Sequence, residues 1–164
     1  MTSTKGIGFE GRFFWAYQVA AGVFLKYLVD EVNASGHADE LWLSDAVSHW
    51  RVQAGIAKFS LTLEEHWSNE QRELFIELAD GACKKLASRE FIPGEEVANW
   101  RLVDDLRIGD FVPGFKILTA PIVELGYAII ALVSGELPRP PKGEAWAYGF
   151  PTGRTTIRMG GGNN

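Results

Sequence analysis

The chain has 164 residues, 46% of them apolar and 23% charged. That is the mix of one globular domain, and it excludes a disordered or collagen-like chain. The formal charge is −5 and is unevenly spread: residues 137–164 carry +3 and residues 1–136 carry −8. An acidic body repels phosphate backbones, which argues against direct nucleic-acid binding and for a basic protein partner. Cys83 is the only cysteine, so no intrachain disulfide can form and a reducing, cytoplasmic setting is expected. The segment Met1–Gly6 has no charged stretch followed by an apolar run, so no signal peptide is expected.

Taken in chain order, the apolar spacing reads as helices. Phe13, Tyr17, Ala21, Phe24, Leu28 and Val32 recur at three- and four-residue steps, one face of an α-helix. Gly36 suits the left-handed position that ends it. Ser44 reads as the N-cap of a second helix, with Val47, Trp50, Ala54 and Ala57 as its stripe, running to about Lys58. Two capping boxes follow, Thr62 with Glu65 and Ser68 with Gln71. The first predicts a short turn over 62–67. The second predicts a helix from Asn69 to about Arg89, buried through Leu74, Leu78, Ala82 and Leu86, with Phe75 widening the face.

Pro93 and Gly94 break the chain, and Glu95 and Glu96 then open a helix through Val97, Trp100, Val103 and Leu106. Pro121 suits the first turn of a last helix that ends near Gly135. At 15 residues this apolar segment is too short to span a bilayer, as is Phe13–Val29 with Gln18 and Lys26 inside it. No membrane span is expected. Residues 138–164 hold Pro138, Pro140 and Pro141, then aromatics interleaved with glycine, and read as an irregular strap over the helices. The expected fold is all-α: one compact bundle of about five helices over 1–136, closed by the C-terminal strap over 137–164.

No motif decides the chemistry. Asp45 and His49 are four apart on one helix, but His37, His49 and His66 all lack a Glu three residues earlier, and no Cys pair or His-Glu-x-x-His occurs. No metal or cofactor is expected. There is no Gly-x-Ser-x-Gly elbow, and Gly149–Thr155 fails the phosphate-loop spacing and lacks its lysine. Cys83, on a helix face beside Ala82, reads as a buried structural thiol. The paired acids Glu64/Glu65, Glu95/Glu96 and Asp104/Asp105 read as solvated surface. No catalytic residue is assigned, and a non-enzymatic reading is favoured.

The most concentrated electrostatic feature lies between Glu64 and Asp80, which hold six acids and one base, Arg72. Glu70, Glu73, Glu77 and Asp80 step by three, four and three residues along one helix face. Trp67 stands at the entrance of that helix, the residue type most enriched at binding hot spots. Trp67, Glu70, Glu73, Glu77 and Asp80 are therefore the expected partner-binding residues. The function expected is a protein-binding or inhibitory protein, such as an immunity protein that neutralises a toxin. An enzyme with a site assembled only in three dimensions, and a structural subunit of a larger complex, are the alternatives.

Overall fold

The structure, a computed structural model, describes residues 4–55, 61–62, 66–101, 108 and 111–160. It overturns the all-α bundle. Among the described residues, seven strands accompany the helices: β1 (Thr4–Phe9), β2 (Arg12–Tyr17), β3 (Leu61–Thr62), β4 (Phe91–Pro93), β5 (Lys116–Leu118), β6 (Glu144–Tyr148) and β7 (Thr155–Arg158). The helices are α1 (Gln18–Ala34), α2 (Leu41–Gly55), α3 (Asn69–Ala87), the single short α4 (Gly94–Ala98) and α5 (Ala120–Ser134). A mixed sheet runs in the order β3-β1-β2-β6-β7, and β4 and β5 pair separately.

The sheet begins with a hairpin that helical periodicity concealed. β1 and β2 pair antiparallel from Thr4↔Tyr17 to Phe9↔Arg12. Glu10 and Gly11 both take positive φ, 50° and 75°, the signature of a two-residue type I′ turn. In β1 the inward positions are Lys5, Ile7 and Phe9, and glycines at 6 and 8 leave the alternation without a polar half. In β2, aromatic residues occupy both faces, so the four-residue step from Phe13 to Tyr17 mimics a helix. The first helix therefore starts at Gln18 rather than Phe13. Its end is as expected, with Ser35 as the cap and Gly36 beyond it at φ 79°.

The C-terminal segment is not an irregular strap. β6 runs parallel beside β2, with Trp15↔Ala147 and Ala16↔Tyr148 in register, and β7 folds back antiparallel on β6. Its small residues, Ala145 and Ala147, are buried between larger neighbours.

α5 and α1 lie against the sheet, and α3 packs across both helices from the other side. α5 is apolar nearly all round because it is covered on two sides; Ile122, Leu125, Ile129 and Leu132 are all buried. Among the described residues, no helix is long and apolar enough to cross a membrane. Pro121 stands in its first turn, and Gly135 ends it at φ 79°.

α3 carries the predicted capping box: the Gln71 amide donates to Ser68 Oγ at 3.1 Å, and the Ser68 amide donates to Gln71 Oε1 at 2.9 Å. α2 starts three residues before Ser44, with Glu40 accepting from the amides of Leu43 and Ser44. The helix expected through Val97 and Trp100 stops at Ala98. Glu65, Ala57, Lys58, Val103, Leu106 and the Asp104/Asp105 pair lie outside the described residues.

Candidate functional site

The link between α1 and α2, the first turn of α2 and the outer face of α3 enclose a trough. Its first section, about 500 Å³, is lined by His37, Glu40, Trp42, Ser68, Glu70, Gln71, Glu73, Leu74 and Glu77. A second section, about 390 Å³, shares His37, Leu74 and Glu77 and continues to Glu31, Asp80 and Lys84. The capping box fixes where α3 begins, and the helical repeat then carries Glu70, Glu73 and Glu77 along the trough wall.

The two sections differ in charge. At the far end Asp80 pairs with Lys84 at 2.8 Å and accepts from the Tyr127 hydroxyl at 3.3 Å. The Lys84 hydrogen bond holds the Asp80 carboxyl below the usual carboxylate range. Glu31 pairs with Lys85. It also approaches Gly81 so closely that a Cβ there would stand 2.6 Å from Glu31 Oε2. At the near end, Glu70, Glu73 and Glu77 are exposed and make no ion pair with any described residue. The Glu40 carboxylate meets His37, Nδ1 to Oε2 at 3.0 Å.

Arg72 is the one base of this stretch, and it does not neutralise the wall. Its Nη2 reaches Glu10 at the β1–β2 turn at 2.5 Å, its Nε donates to the Trp67 carbonyl at 3.2 Å, and its guanidinium lies 4.9 Å from the Phe9 ring centre. The guanidinium is committed to the hairpin, so the trough keeps its negative charge.

Of the residues expected from sequence, the structure brings Glu70, Glu73 and Glu77 to the first section and Asp80 to the second. Trp67 stands elsewhere. It is 6% exposed, with ring centres of Phe75 at 5.0 Å, Trp42 at 5.5 Å, and Phe9 and Trp50 at 6.5 Å. It is a core residue beneath the trough, and the aromatic that lines the trough is Trp42, half-buried and packed edge-on against Trp67. Leu74, expected to be buried, is half-buried: it packs against the core and also lines the trough. Sequence reasoning missed Trp42, Glu40 and His37. The three-residue step from His37 to Glu40 just before an apolar run was the available signal.

The remaining candidates form no metal centre, phosphate loop or reactive thiol among the described residues. Asp45 and His49 are both exposed on α2, and no group of three or more His, Cys, Asp or Glu able to hold a metal occurs among the described residues. Gly149–Thr155 joins two antiparallel strands rather than a strand to a helix, so it lacks the setting of a phosphate loop. Cys83 is fully buried, and desolvation pushes its thiol up to about 12, which leaves it protonated and inert at neutral pH.

Comparison with protein-family models, with curated proteins and with solved structures gives no match.

Proposed function

We propose that this is a protein-binding protein that engages a basic partner through the near section of the trough, in the manner of an inhibitor or an immunity protein held against a toxin. The observation that carries the reading is the wall of Glu70, Glu73 and Glu77, free of ion pairs to described residues, opposite Glu40. Carboxylates held on a helix next to a concave surface attract and orient arginine and lysine side chains, and they raise the association rate through a field that salt screens. Trp42 and Leu74 supply apolar contact on the lining, which charge alone does not give. The setting proposed is cytoplasmic, in keeping with the lone buried thiol.

The test begins with capture of a partner from native lysate by the wild-type chain and by a Glu73→Lys/Glu77→Lys variant. The wild type is expected to retain a basic protein that the variant loses. With that partner purified, charge reversal should slow association, and more so at low salt, whereas Trp42→Ala should mainly speed dissociation. A captured protein that binds both chains with unchanged rates would remove the trough as the interface.

A further inference from the structure

A second concavity lies where the end of β2, the start of α1, β5, the first turn of α5 and the β6–β7 loop meet. It holds about 220 Å³ and is lined by eleven residues, among them Tyr17, Ala20, Lys116, Leu118, Ile122 and Gly149. It shares no residue with the acidic trough. We propose that this pocket is a binding site for a small monocyclic aromatic carboxylate.

The walls are built before any ligand arrives. Gly149 takes φ 87°, and a Cβ there would lie 2.6 Å from Ala20 Cβ. Only glycine lets the β6–β7 loop close down on the first turns of α1 in this way. Phe150 stacks on Tyr17, with ring centres 5.4 Å apart and planes at 24°. On the opposite rim Phe115 stacks on Phe111 at 5.5 Å, and Lys116 is held over the Phe91 ring with Nζ 4.5 Å from its centre. Three of the rim side chains thus rest on a second ring, which limits the ordering cost of binding.

Size and chemistry set the class of ligand. A dry apolar cavity of roughly 150 Å³ accommodates benzene. A pocket of about 220 Å³ accordingly takes one ring with a short substituent. Of the eleven lining side chains, only Tyr17 and Lys116 carry polar atoms. Lys116 borders the pocket, and its exposed ammonium rests on the Phe91 ring and makes no ion pair with a described residue, so it can turn from that ring to a carboxylate at the mouth. An apolar chamber with one cation at its opening selects an aromatic body with an anionic end.

Phenylacetate and its neutral counterpart phenylacetamide are the probes, titrated into the full-length protein and followed by two-dimensional amide NMR. Saturable shifts are expected at residues 17–20, 115–118 and 149–151, with phenylacetate bound about fivefold more tightly than phenylacetamide. Lys116→Met should reduce phenylacetate to the affinity of phenylacetamide and leave phenylacetamide unchanged. Leu118 is 49% exposed at the rim, and Leu118→Trp should block both probes while the rest of the amide spectrum stays native. Shifts that do not saturate, shifts centred elsewhere, or a carboxylate preference that survives Lys116→Met would each overturn the proposal.

Discussion

The two halves of α3 are buried by opposite means. Its N-terminal half sits under large rings: Phe75 contacts Trp67 and Trp50, and Trp67 in turn contacts Phe9 of β1 and Trp42 of α2. Its C-terminal half is lined by Ala79, Ala82 and Cys83, all fully buried, and meets Gly126 of α5. A Cβ at 126 would collide with Cys83 Sγ and would stand 2.7 Å from Phe24 Cε2. One half fills space between elements that stand apart, and the other removes side chains so that two helices can touch. The first arrangement is sensitive to loss of volume and the second to its addition.

The sharpest break should come from Trp67→Ala. Removing a buried tryptophan that touches four rings leaves a cavity shared by β1, α2 and α3, and such truncations cost about 3–5 kcal/mol. Urea denaturation should register that loss as a lower midpoint with little change in slope. A variant as stable as the wild type would mean that Trp67 is not part of the core.

Gly126→Ala tests the other half. One added methyl group should cost about 1–3 kcal/mol, because the atoms it meets are a sulfur and a ring that are themselves enclosed. Cys83→Ala in the same chain should recover part of the loss, since it removes one of the two obstacles. Strictly additive effects would show that the α3–α5 contact relaxes in some other way. Ser68→Ala should cost less, about 1 kcal/mol, by opening the capping box at the N-terminus of α3.

The same contrast explains what was legible in the sequence. α3 and α5 were readable because each has local punctuation, the Ser68/Gln71 box in one and Pro121 with Gly135 in the other, around a sustained helical stripe. The β1–β2 hairpin was not readable, because its strands lack a polar half to alternate with. Gly6 and Gly8 contribute no side chain, and Arg12–Tyr17 carries aromatics on both faces. The turn that would have revealed the hairpin is Glu10-Gly11, without the Asn or Asp that favours positive φ at its first position. At the trough, helical spacing placed Glu70, Glu73 and Glu77 together. It could not distinguish Trp67 from Trp42, because that difference depends on how α2 lies across the start of α3.

The smallest expected effect lies beyond the C-terminus of α3. There Arg89 donates from Nη1 and Nη2 to the two oxygens of Glu96 at 2.8 and 2.7 Å, and Nη1 also reaches the Tyr27 hydroxyl at 3.5 Å. The Arg89 hydrogen bonds hold the Glu96 carboxyl below its ordinary range, with burial opposing them. A carboxyl whose folded-state pKa is depressed contributes stability above the unfolded-state value, near 4.3 for glutamate, and loses it as the pH falls through the folded-state value. Both side chains are more than a third exposed, so solvent screening keeps the contribution within about 1 kcal/mol. Glu96→Gln should therefore lower stability slightly at neutral pH, and the gap to the wild type should close as the pH is taken well below 4.3. Denaturation curves measured across that range would decide the matter. A gap of constant size at every pH would assign the loss to the packing of the side chain at position 96, and not to its charge.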